Sequence, residues 1–180
     1  MMDNRTHLIG VAERLFDRHG FTATGMDRLT KAAGMSSRTL YKLAGSKTAL
    51  MAAVLSERDR RFMQSLDVNT VKAIFASLED WVRDEGARGC LFLRTHGETG
   101  GDTAERAEIV TRHKAAMRAQ IAKIVALDLG GAVDAAAADT LTEQILVLVE
   151  GATATAVYRG PTAIAAAREA AGILLAAARQ

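Results

Sequence analysis

At 180 residues, 49% apolar and 24% charged, with 4% aromatics and one proline, the chain suits one domain or two small ones and excludes a disordered or proline-rich protein. Cys90 is the single cysteine, which excludes an internal disulfide and a cysteine-based zinc site. Net charge is +2, but residues 1–61 carry 11 basic against 6 acidic side chains and the remainder 12 against 15, a division that suits the first third to a polyanion or else is an ordinary solvated surface of uneven charge.

Leu8, Val11, Ala12, Leu15 and Phe16 recur at helical spacing, and Arg18-His19-Gly20 ends that first helix with cations and a residue able to turn left-handed. Thr24, answered by Asp27 three residues on, has capping-box spacing for a second helix that buries Met26, Leu29, Ala32 and Ala33 and stops at Gly34. Ser36 opens a third, short helix through Leu43. Ser46 opens a fourth, with Leu50, Met51, Val54, Leu55 and Phe62 as its stripe. Val71, Ile74, Phe75, Leu78 and Val82 mark a fifth, and residues 90–96 a sixth. Residues 97–103 read as a loop around Gly100-Gly101. Ile109, Val110, His113, Met117, Ile121, Ile124 and Val125 form a seventh stripe. Asp134 or Asp139 begins an eighth helix that ends at Gly160, and Pro161 suits the first turn of a ninth. The expected fold is all-α, of about nine helices in two groups.

Residues 29–41 carry the functional signal. Two helices meet through a tight turn at Gly34, Ala33 permits their close approach, and Leu40 and Leu43 seat the second against Leu15 and Leu29. That arrangement is a helix-turn-helix, and it leaves Ser37, Arg38, Thr39, Tyr41 and Lys42 on the outer side. All five can donate hydrogen bonds to DNA. An αα-hairpin with an ordinary polar face is the plainer reading of the same residues.

Four blocks in order resemble the DNA-binding region of the TetR family of transcriptional regulators: Gly20-Phe21-x-Ala23-Thr24-x-Met26, Ala32-Ala33-Gly34-Met35-Ser36, Thr39-Leu40-Tyr41, and Ser46-Lys47-x-Ala49-Leu50. The resemblance covers roughly residues 8–55, and Arg88-Gly89-Cys90-Leu91-Phe92-Leu93 adds a weaker match. It implies an N-terminal three-helix DNA-binding domain (1–46) and a helical effector-binding and dimerisation domain (47–180), whose first helix links the two. The sequence departs from the family pattern at Leu43-Ala44-Gly45, where an aromatic is usual, and at Thr30, Gly25 and Arg38.

Carried over by position, Thr24, Tyr41 and Lys47 are expected to contact phosphates, assisted by Ser36 and Thr39. Ser37, Arg38, Lys42 and Arg28 are expected to read bases, since an arginine reaches guanine O6 and N7 in a bidentate contact. The implied protein is a cytoplasmic, ligand-responsive homodimeric repressor on a palindromic operator, without cofactor or metal. Its dimer would form through the last two helices, where Ala152, Ala156, Ala163, Ala167, Ala170 and Ala171 permit close approach. An effector pocket is expected from apolar walls at Phe75, Leu78, Phe92, Met117 and Ile121, polar handles at Thr95, His96, His113 and Tyr158, and Trp81 at its edge.

Enzyme readings are poor. His96-Gly97-Glu98 resembles the H-x-E of zinc deaminases, but one cysteine cannot complete that metal shell. Gly45-Ser46-Lys47-Thr48 breaks the phosphate-loop order, and no strand precedes it. His113 lies on an apolar stripe without convergent ligands. The start shows no basic stretch followed by an apolar run, and the apolar run at residues 145–149 stops at Glu150, so neither leader nor membrane span is expected. A helical protein–protein adaptor without DNA affinity is the remaining alternative.

Overall fold

The computed structural model describes residues 3–100, 104–131 and 133–180; Gly101, Asp102 and Thr103 of the expected loop lie outside the described residues. Among these it contains nine α-helices: α1 (Asn4–His19), α2 (Met26–Ala33), α3 (Ser37–Ala44), α4 (Lys47–Ser65), α5 (Val71–Glu85), α6 (Leu91–Thr99), α7 (Ala104–Leu129), α8 (Ala135–Arg159) and α9 (Pro161–Ala178). They form two compact units, one of Met1–Arg60 with Leu91–Thr111, the other of Arg61–Cys90 with Arg112–Gln180.

Most helix ends follow the local chemistry. Gly20 stops α1 at φ 85°, Ser46 Oγ accepts from Ala49 N at the start of α4, Asp134 caps α8 through Ala137 N, and Pro161 occupies the first turn of α9. Two ends differ from expectation. Thr24 does not cap α2: Gly25 is the N-cap residue, without a side-chain cap, because the Thr24 hydroxyl turns back to donate to Gly20 O at 2.7 Å. Residues 97–99 belong to α6 rather than to a loop, and Thr99 Oγ1 donates to Thr95 O one turn earlier.

In the first unit, Leu8, Ala12 and Phe16 of α1 are buried with Leu29 of α2 and Leu40 of α3. Two ion pairs add to this packing from the next turns of α1. Glu13 meets Arg58 of α4 at 2.9 Å with both side chains buried, and Asp17 meets Arg94 of α6 at 3.1 Å.

The second unit has a continuous apolar core in which α5, α8 and α9 pack together, with Ile74, Phe75, Ile121, Ile145 and Ile164 fully buried. The alanine stripe corrects an expectation. Ala152 and Ala156 of α8 and Ala167 and Ala171 of α9 are buried within the chain itself, and Ala163 packs against the same core. Their small size lets α8 and α9 approach each other, so they do not form an outward surface. Among the described residues, the large apolar side chains exposed on α8 and α9 are Val147, Val157, Tyr158 and Ile173. Contrary to the expectation of no membrane span, Pro161–Ala178 is long and apolar enough, by length and composition, to cross a membrane. Arg168, whose Nη1 lies 3.4 Å from Glu79 of α5, places a charge near its centre, where a bilayer would make it costly.

Candidate nucleic-acid interface

A backbone requirement sets the geometry of α2 and α3. Gly34 takes φ 63° and ψ 32°, the left-handed region where a Cβ is costly, and its N–H donates to Lys31 O. Met35 N donates to Thr30 O at 3.2 Å, completing the closure of α2. Thr30, the departure at the packing position, is satisfied locally, its hydroxyl donating to Met26 O at 2.8 Å. His7 Nε2 lies 3.3 Å from Ala33 O and so attaches the end of α2 to α1.

Ser36 then caps α3, accepting from Thr39 N at 3.1 Å with its Oγ 2.8 Å from Thr39 Oγ1. Leu40 is fully buried and Leu43 half-buried, which fixes the rotation of the helix. The outer side consequently exposes Ser36, Ser37, Arg38, Thr39, Tyr41 and Lys42. No carboxylate interrupts residues 36–42. Arg28 of α2 is exposed as well, its Nη2 lying 2.9 Å from His19 Nε2. An acid-free helix face of donors, preceded by a second exposed arginine, can hydrogen-bond base edges and phosphates.

Two expected contacts have a different setting. Thr24 has no exposed surface and donates to Gly20 O, so its hydroxyl braces the segment between α1 and α2 from within. Lys47 donates to Thr22 O at 3.3 Å, with its ammonium 4.4 Å from the centre of the Phe21 ring. It is half-buried, against the same segment.

Sequence reasoning missed the residues that hold this segment from α6. Arg94 Nη2 donates to the Asp17 carbonyl at 2.9 Å while Nη1 reaches its carboxylate, which places a cation at the last turn of α1. Glu98 accepts from Thr22 N at 2.8 Å. No local spacing could have revealed partners 76 and 77 positions apart.

The expected effector residues divide between the two units. Phe75, Leu78, Met117 and Ile121 belong to the buried core of the second unit. There, Phe62 meets half-buried Trp81 edge-on at 5.2 Å and buried His113 at 5.9 Å. Phe92, Thr95 and His96 belong to the first unit, where Thr95 Oγ1 and His96 Nδ1 are buried without a hydrogen-bond partner among the described residues. Tyr158, expected as a polar handle, is 76% exposed on α8 and lines no interior wall.

The profile described as bacterial regulatory proteins, tetR family, matches residues 8–54. An uncharacterised HTH-type transcriptional regulator of Mycobacterium tuberculosis is 30% identical over 118 residues, covering 61% of this chain; the match spans 58% of that relative's length. Among solved structures, a TetR-family transcriptional regulator from Streptomyces coelicolor superposes with a TM-score of 0.87, over 98% of this chain and 96% of the other. At 22% identity that likeness concerns the fold. A Streptomyces avermitilis protein, also assigned to the TetR regulators, is 27% identical, with a TM-score of 0.79 over 98% of each chain.

Proposed function

The chain belongs to the TetR family of transcriptional regulators, and on that footing we propose that it is a sequence-specific DNA-binding regulator, a ligand-responsive homodimeric repressor. The observation that supports this most directly is α3. Its exposed face, rotated outward by buried Leu40, carries Ser37, Arg38, Tyr41 and Lys42 with no carboxylate among them. Placed in the major groove, α3 reads bases with Ser37, Arg38 and Lys42, joined by Arg28 of α2. Tyr41, Lys47, Ser36 and Thr39 hold phosphates. Thr24 supports these contacts from the interior rather than touching DNA.

Residues 1–46 act in this reading as the DNA-binding domain and residues 47–180 as the effector-binding and dimerisation domain, linked by α4. The effector site is placed in the second unit, around Phe75, Leu78, Trp81, Met117 and Ile121, with His113 as the polar group. Half-buried Trp81 beside Phe62 gives that aromatic cluster an edge at the surface. The dimer forms through the last two helices, using exposed Val147, Val157, Tyr158 and Ile173 in place of the buried alanines. Large apolar side chains left exposed on α8 and α9 support that choice of surface.

A salt titration tests the reading. Anisotropy of a fluorescent mixed-sequence duplex should show binding whose logarithm falls linearly with the logarithm of salt concentration, since neutralised phosphates release counterions. Absence of binding at low salt, with salt-independent association to a protein partner instead, would make the chain an adaptor.

A further inference from the structure

We propose that Glu98, on α6, is a positioning residue for DNA binding, holding the segment that leads from α1 into the helix-turn-helix and against which Lys47 of α4 is seated. The proposal rests on the DNA-binding reading above. Its geometry is independent of that reading.

Residues 20–24 have no helix of their own, and their backbone is held by side chains from distant parts of the first unit. Glu98 accepts the Thr22 N–H at 2.8 Å, and Lys47 donates to the Thr22 carbonyl at 3.3 Å, so one residue is held through both of its backbone polar groups. Glu98 comes close to the backbone here: a Cβ on Gly20 would stand 2.8 Å from its movable carboxylate, and Gly20 itself is at φ 85°, a conformation that calls for glycine. One turn before Glu98, Arg94 fastens α6 to Asp17 through carboxylate and carbonyl, which fixes the height at which Glu98 meets Thr22. Thr24 closes the segment by donating to Gly20 O. Lys47 therefore occupies its place over the Phe21 ring because Thr22 is held, and Thr22 is held from α6.

A carboxylate acting only through its charge would repel DNA, and its removal would tighten binding. A positioning carboxylate has the opposite signature. Without the Thr22 hydrogen bond the segment is loosened before DNA arrives, and binding must order it. Affinity should then fall about fivefold, the equivalent of one hydrogen bond of ordinary net strength.

The test uses the full chain and a fluorescent duplex that the wild-type protein enriches from a randomised pool. Glu98→Ala should weaken binding about fivefold, whereas Glu98→Gln, which keeps an oxygen able to accept from Thr22 N, should bind at least as tightly as wild type. In the DNA-free protein, amide exchange at Thr22 should be accelerated in Glu98→Ala and protected in Glu98→Gln. Equal or tighter binding by Glu98→Ala, or unchanged Thr22 exchange in that variant, overturns the proposal alone. A pool from which wild type enriches nothing overturns DNA binding itself, and the positioning role with it.

Discussion

Arg38 and Lys47 are both basic, yet their surroundings differ. Arg38 is exposed on the acid-free face of α3, whereas Lys47 is half-buried against Phe21 and the Thr22 carbonyl. A guanidinium free to swing into the groove discriminates bases; an ammonium fixed at a helix start supplies charge. Arg38→Ala should relax preference at one base pair of each half-site, while Lys47→Ala should weaken all sequences alike and reduce the salt slope by about one unit. Profiling both variants on a randomised library checks this, and uniform losses in both would remove Arg38 from the base-reading set. A second residue-scale prediction concerns the buried pair of Arg58 and Glu13, whose side chains are 6% and 9% exposed. Arg58→Met leaves a buried carboxylate without that cation and should cost about 3 kcal/mol in urea unfolding, because an uncompensated charge in the interior is expensive. A loss below about 1 kcal/mol would show that water reaches Glu13.

Helices were the most legible level of this sequence. Apolar residues at helical spacing marked α1, α2, α4, α5 and α7, while caps and stops such as Ser36, Asp134 and Gly160 placed α3 and α8, and Pro161 opened the last. The failures have physical causes. Gly100-Gly101 suggested a loop from residue 97 onward, but α6 continues to Thr99, with Glu98 held by Thr22. Thr24 had the spacing of a cap and instead hydrogen-bonds backward, because the buried interior offers it Gly20 O. The alanines of α8 and α9 were correctly read as permitting close approach, but periodicity cannot say whether the approaching helix belongs to the same chain. Ala156 is 1% exposed, so Ala156→Leu should overpack the seam between α8 and α9 and destabilise the protein by about 1–3 kcal/mol in chemical unfolding. Wild-type stability in that variant would mean that the two helices are looser than their burial indicates.

At the scale of the whole molecule, the helix-turn-helix face was legible because its residues lie within one short stretch, residues 28–47. The fastening of α1 by Arg94 and of Thr22 by Glu98 was not, since long-range partners leave no local signal. The dimer surface proposed on α8 and α9 rests on Val147, Val157, Tyr158 and Ile173, which are exposed there and which helical periodicity did not single out. Ile173→Glu places a charge on a side chain that is 71% exposed, so it should preserve the fold and yield monomers in sedimentation. A dimer of unchanged affinity would exclude that face. The central claim, a symmetric pair of helix-turn-helix units reading DNA, is tested most directly by sequencing the duplexes that the full chain selects from a randomised pool. The account predicts two inverted half-sites separated by about one helical turn, or a multiple of it. Selected duplexes sharing no sequence, or a single unpaired half-site bound by one chain, would contradict it.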